Sequence, residues 1–290
     1  MKGNIEITPE LLDNKSAFSN EFFRGIAQRT APAPLELCEG ISKDYLFPTF
    51  YGDVSCSLAI FHCDYEAARS ILPDSRIEPV KMTGGRSLVI LSCYEYRNVE
   101  GIGPYNEIVM NIPVVTRGSM NIPVVTMLLG DKLKSFGYYV FHMPVTSLEN
   151  QIRGHKIWGL PKEVEQIDID TEGGQSVTRA YQDSESPYLE LRVPASGGSK
   201  QTFDVKSTIY SYLNSDLLKS TTQFSGDFIV SKNMKTLIKS TEKAAMPVLT
   251  LGEGEMADKL RSLKIEEQAF QFRYTPSMSA CFDLPHGKLD

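Results

Sequence analysis

The feature that most constrains this chain is a succession of short apolar, β-branched or aromatic runs, each closed by turn residues, beginning near residue 51. They fall at 54–61, 87–96, 107–115, 122–129, 137–143, 166–170, 176–181, 189–193, 203–212 and 269–274. Gly173-Gly174 and Gly197-Gly198 mark tight connections between neighbours. Many short strands at this spacing predict an antiparallel barrel or sandwich, mainly β with little helix. Two flanking helices are expected. One spans 64–72, with Asp64 as N-cap and Pro73 closing it; the other lies at 255–263.

The first forty-five residues have a different texture. Thr8-Pro9-Glu10 reads as an N-cap, a proline at the first helical position and an acid in the first turn. Ala31-Pro32-Ala33-Pro34 reads as a stiff extended connector. The division expected is a helical N-terminal extension over 1–45 and one barrel domain over 46–290. A local repeat interrupts that domain: Met110-Asn-Ile-Pro-Val-Val-Thr116 recurs as Met120-Asn-Ile-Pro-Val-Val-Thr126. The two copies either pair as a hairpin or represent a tandem duplication that lengthens a loop.

Composition excludes several function classes. Across 290 residues the formal charge is −6, against the basic face of a nucleic-acid binder and against docking on anionic membranes. No apolar run reaches the ~18 residues of a membrane span. The first residues carry no apolar secretory stretch, so a cytoplasmic location is expected. The scattered cysteines Cys38, Cys56, Cys63, Cys93 and Cys281 include no C-x-x-C pair and read as buried, inert thiols. His62, His142, His155 and His286 lack ligand spacing, and neither metal nor organic cofactor is expected. Ser240-Thr-Glu-Lys243 fits S-x-x-K without its partner motifs and carries nothing.

One segment stands apart: Gly154-His-Lys-Ile-Trp-Gly-Leu-Pro-Lys162-Glu163 holds the sole tryptophan and a lysine directly after proline. Ile157, Trp158, Leu160 and Pro161 are placed to dry the amine, which lowers a lysine pKa and frees a nucleophilic fraction near neutral pH. The segment resembles the signature of the acetoacetate decarboxylase superfamily, G-[RHK]-x-[IL]-W-G-[FYL]-P-K. Gly103-Pro-Tyr-Asn-Glu107 resembles the family's G-P-Y-x-E element. The stretches 58–73 and 247–264 fit in the same order, so the likeness covers roughly residues 50–285.

The resemblance implies a closed antiparallel β-barrel of the acetoacetate decarboxylase-like type with flanking helices, assembled as a homo-oligomer. It implies Lys162 as the nucleophile that forms an imine with a small keto acid or ketone, and Glu107 as acid/base or carboxylate-positioning residue. Tyr105 and Trp158 become pocket walls against the substrate. The activity implied is a carbon–carbon lyase decarboxylating an acetoacetate-like β-keto acid. The alternatives are an aldolase or dehydratase using the same imine, and a non-catalytic barrel holding a small apolar ligand.

Three positions depart from the decarboxylase pattern. Glu163 stands where the type enzyme has a second lysine, Ser92 where it has a second acid, and Val54 where it has an arginine. Neighbours in a strand face opposite ways, so Glu163 is free to point away from Lys162. A substitute cation is to be sought at Arg97, Lys156 or His62.

Overall fold

A strand that is apolar at consecutive positions must be covered on both faces, and the run around Ser-Leu-Val-Ile-Leu-Ser-Cys-Tyr (87–94) is of this kind. The computed structural model describes residues 7, 12–183, 185–237 and 247–289, and shows what covers it. Seven long strands close on themselves: β1 Thr49–Asp64, β2 Arg86–Val99, β3 Tyr105–Thr116, β4 Phe136–Val145, β5 Ser199–Leu213, β6 Asp216–Lys232 and β7 Ala269–Phe282. Their order around the ring is β4-β5-β6-β7-β1-β2-β3, and β3 pairs back onto β4. Six of the contacts are antiparallel. The seventh, β4 with β5, is parallel, at Ile209↔Tyr138 and Tyr210↔Tyr139. Strictly alternating directions cannot close an odd ring, so the barrel is mixed rather than wholly antiparallel.

Alternation along β2 sorts its side chains. Ile90, Ser92, Tyr94 and Tyr96 face the lumen, while Val89, Leu91 and Cys93 pack outward in a core shared with Leu189, Leu191 and Val193. That outer layer is an antiparallel sheet of Gln166–Glu172, Gln175–Tyr181, Leu189–Pro194 and Leu249–Leu251. Glu172 and Gln175 pair across Gly173 and Gly174, both at positive φ, which is the two-residue hairpin turn expected. The helices run Tyr65–Ile71, whose N-cap Asp64 accepts from Ala67 N (2.9 Å), and Glu255–Ser262. By contrast the outer face of β5 is solvated, with Lys200, Thr202, Asp204 and Lys206 exposed opposite lumenal Phe203 and Val205.

The run at 122–129 is not a strand. Residues 120–124 are irregular and Val125–Leu129 form one helical turn. Both edges of the first repeat copy are already taken. Ile77–Pro79 and β2 line one side, and β4 the other, so the second copy has no edge to pair with. It is held instead by Asn121, which bonds Lys81 N, Glu78 and Pro79 O (2.9–3.0 Å).

The helix expected from Thr8-Pro9-Glu10 lies outside the described residues, as does Ser240–Lys243. The described part of 1–45 holds the single turns Lys15–Phe18 and Glu21–Arg24, then short strands at Arg29–Thr30, Leu35–Cys38 and Ile41–Lys43. Cys56, Cys63, Cys93 and Cys281 are buried free thiols; Cys38 is exposed, because its strand packs only one face. Among the described residues no helix is long and apolar enough to cross a membrane.

Candidate active site

β4 ends at Val145, and the chain turns through Ser147, whose hydroxyl caps the helix Leu148–Arg153 by accepting from Asn150 N (3.2 Å). One turn of π-helix follows, Gly154–Trp158, of the kind that tends to occur at functional sites. Gly159 reverses the chain at φ +63°, where a Cβ would press on the Tyr212 carbonyl. The strand Lys162–Val164 then runs parallel to β4, with Lys162 beside Met143. Each residue of the lysine segment has its place in this arrangement. A Cβ on Gly154 would collide with the Lys162 side chain, 2.9 Å from Cε and 3.0 Å from Cγ, so only glycine lets the lysine pass. His155 donates from Nε2 to the Lys162 carbonyl (2.6 Å), which also accepts from Gln151 (3.2 Å). Trp158 stacks on Phe282, centroids 4.8 Å apart, and donates to Asp283 O (2.9 Å).

Lys162 therefore enters the barrel while Glu163, the next residue, is exposed on the opposite face. The lumen is a cavity of about 410 Å³. Lys162, Glu107, Tyr105 and Trp158 all line it, as does Ser92. Lys162 Nζ lies 2.5 Å from Glu107 Oε2 and 2.7 Å from Asn150 Oδ1, with both members of the ion pair at most 5% exposed. Tyr96 donates to the other Glu107 oxygen (3.2 Å), and the Tyr105 ring stands 5.7 Å from Nζ.

Opposing effects act on the amine. Burial lowers the Lys162 pKa below the ordinary lysine value; Glu107 opposes that shift, and the positive charge of Arg153 adds to it. The net direction is downward. Burial holds the Tyr94, Tyr96 and Tyr105 hydroxyls well above their usual range, and Tyr51 is pushed up to about 12. These phenols stay protonated and serve as donors and walls.

Two neighbours of Lys162 carried no sequence signal. Asn150 spends its carbonyl oxygen on Lys162, and its buried NH2 has no hydrogen-bond partner among the described residues. Arg153, 1% exposed, stacks on Tyr45 at 4.2 Å and donates to Thr49 (2.9 Å). Glu149, one turn before it, accepts from Lys43 Nζ (2.8 Å) and Tyr45 (2.6 Å), so residues near 45 brace the helix that carries Asn150. The polar stretch Leu-Glu-Asn-Gln-Ile-Arg reads as a solvated helix; only docking against the barrel end buries it.

Arg153 acts on Lys162 through its charge but does not line the cavity; besides Lys162, the cations that do are Arg273 and Lys132. Val54 is fully buried in the core. Arg97 forms exposed ion pairs with Asp53 and Glu95, and Lys156 donates to Glu36 O (2.6 Å). His62 packs against Phe270 at the other end of the barrel, where burial lowers its pKa to about 4.

A closed mixed barrel with a buried lysine–carboxylate pair in its lumen defines the class of protein. The chain belongs to the acetoacetate decarboxylase (ADC) family, whose model matches residues 33–278. Among solved structures it is similar to acetoacetate decarboxylase from Legionella pneumophila subsp. pneumophila str. Philadelphia 1, at 15% identity and TM-score 0.57, covering 90% of this chain and 92% of that one. Another acetoacetate decarboxylase structure matches at 14% identity and TM-score 0.56, over 83% and 89% of the two chains. The enduracididine biosynthesis enzyme MppR, complexed with the condensation product of pyruvate and imidazole 4-carboxaldehyde, matches at 12% identity and TM-score 0.55, over 89% and 97%. At these identities the likeness is one of fold. No curated protein matches the chain significantly.

Proposed function

We propose that this chain is a Schiff-base-forming lyase that decarboxylates a β-keto acid through an imine on Lys162. The observation that carries the reading is the placement of Lys162 Nζ inside the cavity, its pKa lowered by burial, within hydrogen-bond reach of Glu107 and Asn150. The neutral amine adds to the substrate ketone, and Glu107 takes the proton the nitrogen sheds. The carbinolamine hydroxyl leaves as water on receiving a proton, and the unpartnered Asn150 NH2 donates a hydrogen bond to that oxygen beforehand. In the protonated imine the bond to the carboxylate breaks, carbon dioxide departs, and the electron pair moves to the iminium nitrogen. The enamine is protonated at carbon, and water releases the ketone and frees Lys162. Tyr105 and Trp158 shape the cavity around the reacting carbon.

A second reading keeps the imine and changes the bond. Ser92 stands in the cavity where decarboxylases of this family carry a further acid, which favours aldol or dehydration chemistry on a neighbouring keto acid. Assembly as a homo-oligomer belongs to the same proposal and is read by light scattering.

The test is intact-mass spectrometry after incubation with acetoacetate or pyruvate plus sodium borohydride, with Lys162→Ala as control. A reduced adduct mapped to Lys162 and missing from the variant is expected, and carbon dioxide release separates decarboxylation from the second reading. No adduct across a keto-acid panel, with a Lys162 inert to small amine-reactive probes near pH 8, would sink the reading in favour of a barrel that only binds a ligand.

A further inference from the structure

The cavity is far longer than the space around Lys162. Strand register lays it out in rings. Glu107 pairs with Tyr94, which pairs with Cys56; one ring further on stand Val109, Ser92 and Leu58, and beyond them Asn111, Ile90 and Ile60. Four residues separate Glu107 from Asn111, roughly 13 Å of strand. At the far end Ile60 and Ile90 pack against Met127, Val124 and Tyr138, so the end of the second repeat copy borders the barrel there. Met127, Leu128, Leu129 and Lys132 line the cavity, yet Leu128 is 71% exposed, so the cavity opens to solvent at this segment. Ile122, Val125 and Leu129 add further exposed apolar surface around the opening.

A lumen of about 410 Å³ falls within the ~300–1,000 Å³ of sites that hold drug-sized ligands. The lumen beyond the Lys162–Glu107 pair is lined by Leu58, Ile60, Ile90, Val109, Met127 and Tyr138, and its polar lining includes Ser92, Asn111, Lys132, Ser207, Thr222 and Arg273. A four-carbon acid bound at Lys162 would leave most of this wall facing water, and surface of that kind binds apolar groups. An apolar rim around a solvent opening is likewise unusual for a surface that meets only water.

We propose that the substrate is a ketone or keto acid with a long apolar tail, its carbonyl at Lys162 and its tail running along this wall to the rim formed by residues 122–129. The placement of the carbonyl rests on the imine reading; the tail site does not. Binding selects length because each methylene leaves water for the wall, until the tail reaches the rim.

The experiment is calorimetric titration of the full chain with methyl ketones from 2-butanone to 2-undecanone, with borohydride trapping of the same compounds in parallel. Affinity is expected to rise about threefold to fourfold per methylene. Leu128→Asp is expected to lower the undecanone-to-butanone affinity ratio at least tenfold. Affinity that is flat or falls beyond five carbons would overturn the inference, and an unchanged ratio in Leu128→Asp would overturn the rim as the tail site. A series that tightens with length but yields no reduced adduct supports the tail site and sinks the imine instead.

Discussion

Replacing Glu107 by glutamine keeps the side-chain shape and the hydrogen bond from Tyr96 but removes the negative charge from beside Lys162. Both partners are buried, so an unpaired ammonium left behind costs about 3–5 kcal/mol. The lysine has one escape, which is to lose its proton. Relative to an unfolded chain that holds lysine protonated with a pKa of about 10.4, that costs ~4.6 kcal/mol at pH 7 and ~1.9 kcal/mol at pH 9. The penalty is thus capped, and the cap falls as pH rises. The sign follows from proton counting. The folded lysine pKa is already lowered, and loss of the carboxylate lowers it further. Between the folded pKa of the variant and that of the wild type, the variant has shed a proton that wild type keeps, so the variant regains stability with rising pH. Urea unfolding followed by Trp158 fluorescence reads this directly, since Trp158 is the sole tryptophan and stands in the cavity wall. We expect a loss of about 3–4 kcal/mol at pH 6–7 that shrinks as pH rises toward 9. Lys162→Met/Glu107→Gln should recover most of the loss. A penalty below ~1 kcal/mol that stays constant with pH would refute the picture of a dry, charged pair.

Three further outcomes are expected. Gly154→Ala should lower the urea midpoint, because the added Cβ pushes the lysine chain away from Glu107, and should cut imine trapping at least tenfold; undiminished trapping would contradict the close approach. Asn150→Asp puts a second acid against Nζ, so the pH at half-maximal trapping should rise by ~1 unit or more, with activity regained on the alkaline side. Leu91→Ala, at a fully buried outward position on β2, should cost ~2–5 kcal/mol in urea unfolding without shifting the trapping profile.

How far the sequence could be read depended on burial. β2 and β3 were legible because the outer sheet and the lumen demand apolar residues on both faces, and the helix at Tyr65–Ile71 because Asp64 caps it. β6 was not anticipated. Its Ser-Thr-Thr-Gln-Phe-Ser-Gly-Asp stretch is largely polar, and its two aromatics, Phe224 and Phe228, both reach the cavity. At the site, Lys162 and Glu107 were singled out by motifs that resemble those of the family, and the structure sets the two side by side. Asn150 and Arg153 were not, because nothing in six polar helical residues says that the helix end will be driven into the barrel.

The repeat separates the two kinds of information. Met-Asn-Ile-Pro-Val-Val-Thr occurs twice, and local sequence determines only that each copy is apolar, β-branched and interrupted by proline. In the first copy Ile112 and Val114 are fully buried in β3 and Asn111 faces the lumen. In the second Ile122 and Val125 are exposed, Asn121 ties down a neighbouring strand, and the last residues coil into a helical turn at the cavity mouth. The chain determined by itself that one of these heptads could be a strand. Which one became a strand was decided by where free strand edges and apolar faces remained once the barrel closed, because a backbone in a sheet needs partners that no single segment can supply.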